Sequence, residues 1–194
     1  MAAAALREIR ERAQADPAWY AESIAVGLDQ SQSAAQLRGL FDAGARVAPQ
    51  YWPLYRAMLR ALMPRWGGSY EKVDGFIREL SIAHDDDRLM YARLYWLYAD
   101  LEQDDRSVFR DGLDEWRIMR PGFEGLRQRY PGSGAVLNAF ARFACAAGDL
   151  EQYRQLRAGL EAHPSPVVWS EDTTLKDCDH WLHATRTHAK LVSP

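Results

Sequence analysis

Apolar side chains recur every three or four positions along almost the whole chain, which is the spacing of one helix face. One such stripe consists of Tyr51, Tyr55, Met58, Leu59 and Leu62. Breaks rich in Gly, Pro, Ser or Asp separate the stripes, and inner turns fall near residues 30, 67, 103 and 148. The sequence contains no convincing alternating strand pattern. It therefore predicts an all-α protein built from consecutive helical hairpins.

Residue choices at the breaks predict where several helices begin and end. Asp16 is a favourable N-cap and Pro17 suits the first helical position. Ser69 follows two glycines and can cap the next helix. Pro121-Gly122 predicts the end of one helix and the start of a short one after it.

The hairpin turns are spaced by about 37, 36 and 45 residues, which is close to a repeat of 34-residue helical hairpins. We therefore expect tetratricopeptide-like hairpins, stacked into a short right-handed solenoid or a compact bundle. Residues 1–164 form the predicted hairpin repeat domain. Residues 165–194 add a C-terminal helix and a frayed tail to the same domain.

Composition and charge narrow the classes of partner. The 194 residues are 47% apolar and 26% charged, and they include 7 Trp, 9 Tyr and 6 Phe, which is enough for a substantial core. The net charge of −3 excludes a generally basic nucleic-acid-binding surface. Arginine outnumbers lysine by 21 to 3, which codon bias explains more simply than function. We expect no nucleic-acid partner.

The N-terminal residues and the two cysteines bear on location. A secretory signal needs an apolar stretch of about 7–15 residues, whereas charged residues begin at Arg7 and Glu8. No run approaches the roughly 18 apolar residues of a membrane span. We therefore expect a cytoplasmic protein with no membrane partner and with reduced thiols. A Cys145–Cys178 disulfide stays open, because sequence spacing does not fix geometry.

Three short blocks carry a resemblance to a known family. Residues 64–69 read Pro-Arg-Trp-Gly-Gly-Ser, residues 130–131 read Tyr-Pro, and residues 144–149 read Ala-Cys-Ala-Ala-Gly-Asp. Over roughly residues 50–160 the chain resembles a bacterial family known only as a domain of unknown function. The first block is the more specific, and the last is also typical of tetratricopeptide-like hairpins. The resemblance implies an all-helical, tetratricopeptide-like fold and no particular activity.

The first candidate binding surface is the turn around Trp66, which lies between Arg65 and two glycines. One hypothesis is an exposed platform of aromatic ring and guanidinium that grips a partner peptide. The alternative, which the sequence favours, is a tryptophan that fills the turn against the core.

The second candidate surface is the face that the first helix of each hairpin presents in a tetratricopeptide-like stack. Its non-core positions include Arg56, Arg60, Arg93, Asn138 and Arg142. Such side chains can hold the carboxylates and backbone of a bound peptide. The alternative is a solvated helix face with ion pairs between residues four positions apart.

The richest group of potential metal ligands lies near the C-terminus and comprises Asp177, Cys178, Asp179, His180, His183 and His188. His180 and His183 are three positions apart and could face one metal ion. Cys178, however, shares a helix side with Leu175 and Leu182 and should be buried. A solvated terminal helix is the favoured interpretation, and we expect no metal and no cofactor.

The sequence contains no nucleophile elbow, zinc-protease motif or phosphate-binding loop. We therefore expect a non-catalytic interaction module that binds a protein or peptide through a helical groove. One alternative is an immunity protein that neutralises a bacterial toxin, since the net charge weakly favours a basic partner. Another is a metal-binding protein or enzyme that uses residues 177–188. No pattern indicates the oligomeric state.

Overall fold

A computed structural model describes residues 13–82, 87–102, 109, 116–163, 165–169 and 173–192, with side chains through residue 184. Within these ranges the chain forms nine α-helices and two short 3₁₀ turns, and it contains no strand. The prediction of an all-α fold is confirmed. The predicted turn near residue 103 lies outside the described residues. No described helix combines the length and apolar character needed to cross a bilayer.

The helices are α1 (Pro17–Asp29), α2 (Ala34–Val47), α3 (Trp52–Leu62), α4 (Tyr70–Ile82), α5 (Asp87–Glu102), α6 (Trp116–Arg129), α7 (Gly134–Ala146), α8 (Leu150–Leu160) and α9 (Leu175–Val192). The 3₁₀ turns are Pro64–Trp66 and Pro166–Val168.

Contacts between Cα atoms divide the chain into two compact units, Met1–Phe76 and Ile77–Pro194, with the boundary inside α4. In the first unit α1 packs against α2 and α3, and α2 also contacts α3. The buried ring of Phe41 lies edge-to-face with Tyr55 at 5.2 Å and with Phe76 at 5.0 Å between ring centroids. These aromatic contacts join α2, α3 and α4 in one core.

In the second unit, helices that follow each other in sequence pack together. Helix α5 contacts α6, α6 contacts α7, and α7 contacts α8, while α9 touches both α7 and α8. Phe123 on α6 stacks on Phe140 and Phe143 of α7, at 5.5 Å and 5.4 Å. Packed helix pairs are the arrangement that the hairpin pattern predicts.

The predicted helix break at Pro121-Gly122 is wrong, because α6 continues through both residues. Pro121 is the sixth residue of α6, so its missing N–H removes only the hydrogen bond to Arg117, near the start of the helix. A Cβ at Gly122 would overlap the carbonyl oxygen of Arg88 on α5. Gly122 therefore permits a close crossing of α5 and α6.

Two predicted helix caps are confirmed. The Asp16 carboxylate accepts a hydrogen bond from the backbone N–H of Ala18 at 2.9 Å, at the start of α1. The Ser69 hydroxyl accepts one from the backbone N–H of Lys72 at 3.3 Å, in the first turn of α4. Both satisfy N–H groups that have no partner inside the helix.

The two cysteines form a disulfide, which corrects the expectation of reduced thiols. Their Cα atoms are 5.8 Å apart, within the range that a disulfide spans. Cys145 on α7 and Cys178 on α9 are both buried, and the burial of Cys178 was predicted. The bond ties α9 covalently to α7.

Candidate functional site

The turn after α3 fixes the backbone position of Trp66. Pro64 disfavours helical backbone at the residue before it, and Met63 adopts φ −70° and ψ 149°, which ends α3. The N–H of Trp66 donates to the carbonyl oxygen of Met63 at 3.0 Å. Gly67 follows with φ +84°, in the left-handed region that favours glycine.

The next two residues return the chain to the end of α3. The N–H of Gly68 donates to the carbonyl of Met63, and the N–H of Ser69 donates to that of Leu62, both at 3.0 Å. A Cβ at Gly68 would overlap the carbonyl oxygen of Leu62, so the turn requires glycine there. The backbone on both sides of Trp66 is therefore bonded to α3.

Trp66 is 40% exposed, and a guanidinium lies over its indole ring. The Cζ of Arg60 lies 4.4 Å from the indole centroid, which is a close cation–π contact. The interpretation of Trp66 as a residue that fills the turn against the core is therefore wrong. Arg60 and Trp66, which the sequence assigned to two different candidate surfaces, belong to one.

Arg56 lies one helical turn before Arg60 on the exposed side of α3, and Arg65 is exposed in the 3₁₀ turn. Neither Arg56 nor Arg60 forms a hydrogen bond or an ion pair with any residue that the structure describes. We call the four residues Arg56, Arg60, Arg65 and Trp66 the Trp66 platform. All four lie in the first unit.

The expectation that Asn138 occupies a non-core position is wrong, because it is 2% exposed on α7. Its amide nitrogen donates to the carbonyl oxygens of Gly134 at 2.8 Å and His163 at 2.7 Å. Its amide oxygen accepts from the indole N–H of Trp169 at 2.9 Å. The side chain fastens the segment after α8 to α7.

Arg142 is also buried, at 2% exposure, and corrects the same expectation. Its Nη1 donates to Asp100 Oδ1 at 2.9 Å and to the carbonyl oxygen of Val168. Arg93 on α5 is half-buried, and burial lowers the pKa of its guanidinium, while the interaction with Tyr130 opposes that shift. These contacts give Asn138 and Arg142 internal structural roles in the second unit.

Three members of the C-terminal group of potential ligands are engaged in other bonds. Cys178 is in the disulfide, and the Asp179 carboxylate accepts from Tyr153 Oη at 2.6 Å and from Arg157 Nε at 2.8 Å and Nη2 at 3.0 Å. Asp177 accepts from the hydroxyl of Thr174. In the described part of the chain no three His, Cys, Asp or Glu side chains are placed to hold one metal ion. The side chain of His188 lies outside that part.

Asp179 and Tyr153 influence each other's protonation. Burial raises the pKa of Asp179, but the hydrogen bonds from Arg157 and Tyr153, together with the electrostatic interactions with Arg157 and His183, lower it by more, so its pKa is below the ordinary value. Burial and the bond to Asp179 raise the pKa of Tyr153. Residue spacing does not pair Asp179 of α9, named above as a potential metal ligand, with Tyr153 or Arg157 of α8. These bonds hold α9 against α8. Near neutral pH the Asp179 carboxyl stays ionised and the Tyr153 hydroxyl stays neutral.

These features define an all-α protein of packed helix pairs with a partly exposed tryptophan that lies on a hydrogen-bonded turn and contacts Arg60. Comparison with protein-family models, with curated proteins and with solved structures finds no match.

Proposed function

We propose that this protein is a non-catalytic interaction module that binds a protein or peptide, and that the Trp66 platform is its contact surface. The observation that carries the proposal is the exposed indole of Trp66, which is held on a bonded turn and covered on one face by Arg60. Tryptophan and arginine are the residue types that most often dominate binding energy at protein interfaces. A fixed backbone also reduces the ordering cost of association.

The positive charge of the platform favours an acidic partner over a basic one. Arg60 contacts Trp66, and neither Arg60 nor Arg56 forms an ion pair with a described residue, although the whole chain has a net charge of −3. A basic toxin, which the immunity-protein hypothesis favours, would be repelled by this surface. The platform instead supports a partner that offers carboxylates.

The Trp66 platform is tested by affinity capture from native lysate with three full-length baits. These are wild type, a Trp66→Ala/Arg60→Glu variant, and an Arg117→Glu control. Arg117 is an exposed arginine on α6 that forms no ion pair with a described residue, so the control carries the same charge change at a residue outside the platform. Quantitative mass spectrometry measures what each bait retains.

We expect one or a few proteins to be retained by the wild-type and Arg117→Glu baits. The same proteins should be absent from the eluate of the platform variant. Circular dichroism checks that all three baits have the same helix content. Equal retention by all three baits, or no retention by wild type, would overturn the assignment of the platform. A turnover abolished by one point mutation would overturn the non-catalytic proposal.

We further propose a cytoplasmic location, and the state of the Cys145–Cys178 pair tests it. Disulfides persist mainly outside the reducing cytoplasm, so the bond in the structure weighs against this proposal. Cells are quenched in acid and their thiols alkylated before lysis. Two alkylated cysteines support the cytoplasm, and an intact disulfide contradicts it.

A further inference from the structure

We infer that the Trp66 platform recognises an acidic peptide segment, with carboxylates on Arg56 and Arg60 and an apolar side chain against Trp66. This inference rests on the proposed function and specifies the chemistry of the partner. Its geometric basis is the pair of guanidiniums on α3, Arg56 and Arg60, that form no hydrogen bond or ion pair with a described residue.

The contact between Arg60 and Trp66 leaves the hydrogen-bond donors of the guanidinium unused by any described residue. The Arg60 Cζ lies 4.4 Å from the centroid of the Trp66 ring, and Arg60 forms no hydrogen bond or ion pair with a described residue. The five N–H groups of its guanidinium are therefore open to a ligand from outside the chain. A carboxylate can then accept two parallel N–H bonds from one edge.

The spacing of the two arginines sets the spacing of the acids. Arg56 and Arg60 are four residues apart on α3, which corresponds to about 6 Å along the helix axis. Alternate side chains of an extended peptide are about 6.6 Å apart on one side. A segment with acids at every second position therefore matches the two guanidiniums.

Other arginines of the chain show how a carboxylate would be held. Arg157 binds Asp179 through both Nε and Nη2, at 2.8 Å and 3.0 Å, and Arg38 binds Asp42 through Nε at 2.8 Å. Arg56 and Arg60 have no such carboxylate partner among the described residues. A ligand from outside the chain would supply it.

The test is fluorescence anisotropy of a labelled twelve-residue peptide in which glutamate alternates with serine around one central leucine. A matched peptide carries glutamine in place of glutamate, and a labelled oligothymidylate provides a single-stranded nucleic acid, which could also use arginine and tryptophan. We expect the acidic peptide to bind, the glutamine peptide to bind at least about tenfold more weakly, and the affinity to fall between about 50 and 500 mM NaCl.

Substitutions locate the binding. Arg60→Gln and Trp66→Ala should each weaken the acidic peptide by about tenfold or more, and Arg117→Gln should leave it unchanged. Equal binding by Arg60→Gln and wild type would place the peptide elsewhere and overturn the inference. Tighter binding of the oligothymidylate would overturn it in favour of nucleic acid.

Failure of this inference differs from failure of the proposed function. If the lysate experiment yields a platform-dependent partner that the acidic peptide does not displace, the function stands and the acidic chemistry is wrong. If wild type binds neither a lysate protein nor the peptide, both are wrong.

Discussion

Loss of the Cys145–Cys178 bond should destabilise the second unit substantially. The bond closes a loop with a sequence separation of 33 residues. In the loop-entropy model, a loop of this length makes the unfolded chain less favourable by about 3.7 kcal/mol at 25 °C. Reduction also leaves two thiols buried side by side, since Cys145 is 2% exposed and Cys178 is fully buried. A net loss of about 3–4 kcal/mol is therefore expected.

Urea denaturation, followed by circular dichroism, measures the loss with and without a phosphine reductant. A Cys145→Ala/Cys178→Ala variant should match the reduced protein approximately and should not respond to the reductant. Hydrogen exchange, measured peptide by peptide, should be faster in α9 of the reduced protein, because the bond ties α9 to α7. Helix α3, which lies in the first unit, provides an internal control. An unchanged urea midpoint together with unchanged α9 exchange would refute the reasoning. The reasoning would also be refuted if protein kept under oxidising conditions showed two reactive thiols after denaturation.

Three further predictions concern stability. Gly68→Ala should lower the urea midpoint, because the new Cβ overlaps a carbonyl oxygen of α3. Gly75→Ala should raise the free energy of unfolding by about 0.5–1 kcal/mol, because its new Cβ meets nothing within 4 Å; equal effects of the two substitutions would contradict the turn geometry. Arg142→Met should cost about 1–3 kcal/mol in urea denaturation, because it leaves the carbonyl oxygen of Val168 without its donor and removes the ion pair with the partly exposed Asp100. A neutral result would contradict an internal role. The lowered pKa of Asp179 means that its carboxylate contributes stability above the unfolded pKa of about 3.9, and that this is lost as pH falls through the folded pKa. Asp179→Asn should flatten that part of the urea-midpoint profile, and parallel profiles would argue against the pairing.

Local signals were sufficient to predict the helices and several of their ends. The caps at Asp16 and Ser69 depend on atoms two or three residues away, so the sequence around them contains the whole interaction. The break at Pro121-Gly122 was mispredicted because its cause lies at Arg88 on another helix. A glycine that permits a close helix crossing looks the same in sequence as a glycine that ends a helix.

The disulfide shows the same limit. The helical pattern predicted that Cys178 is buried, and this is confirmed. Cys145 is buried as well. Their pairing depends on how α7 and α9 meet, across 33 residues of chain, and residue spacing carries no information on that distance.

The arginines show most clearly why the candidate site needed the structure. Arg60 and Arg142 each sit at a helix position that the apolar stripe leaves to polar residues, so the sequence treats them alike. Arg142 meets a carboxylate from Asp100, 42 positions away, and becomes part of the interior. Arg60 meets no acid among the described residues and instead stacks on Trp66, six positions ahead, because Pro64 and the glycines fold the turn back onto α3. Whether an arginine is internal or available to a partner is therefore decided by the acids that other helices bring within reach, and this is why the platform, rather than Asn138 or Arg142, carries the proposed binding.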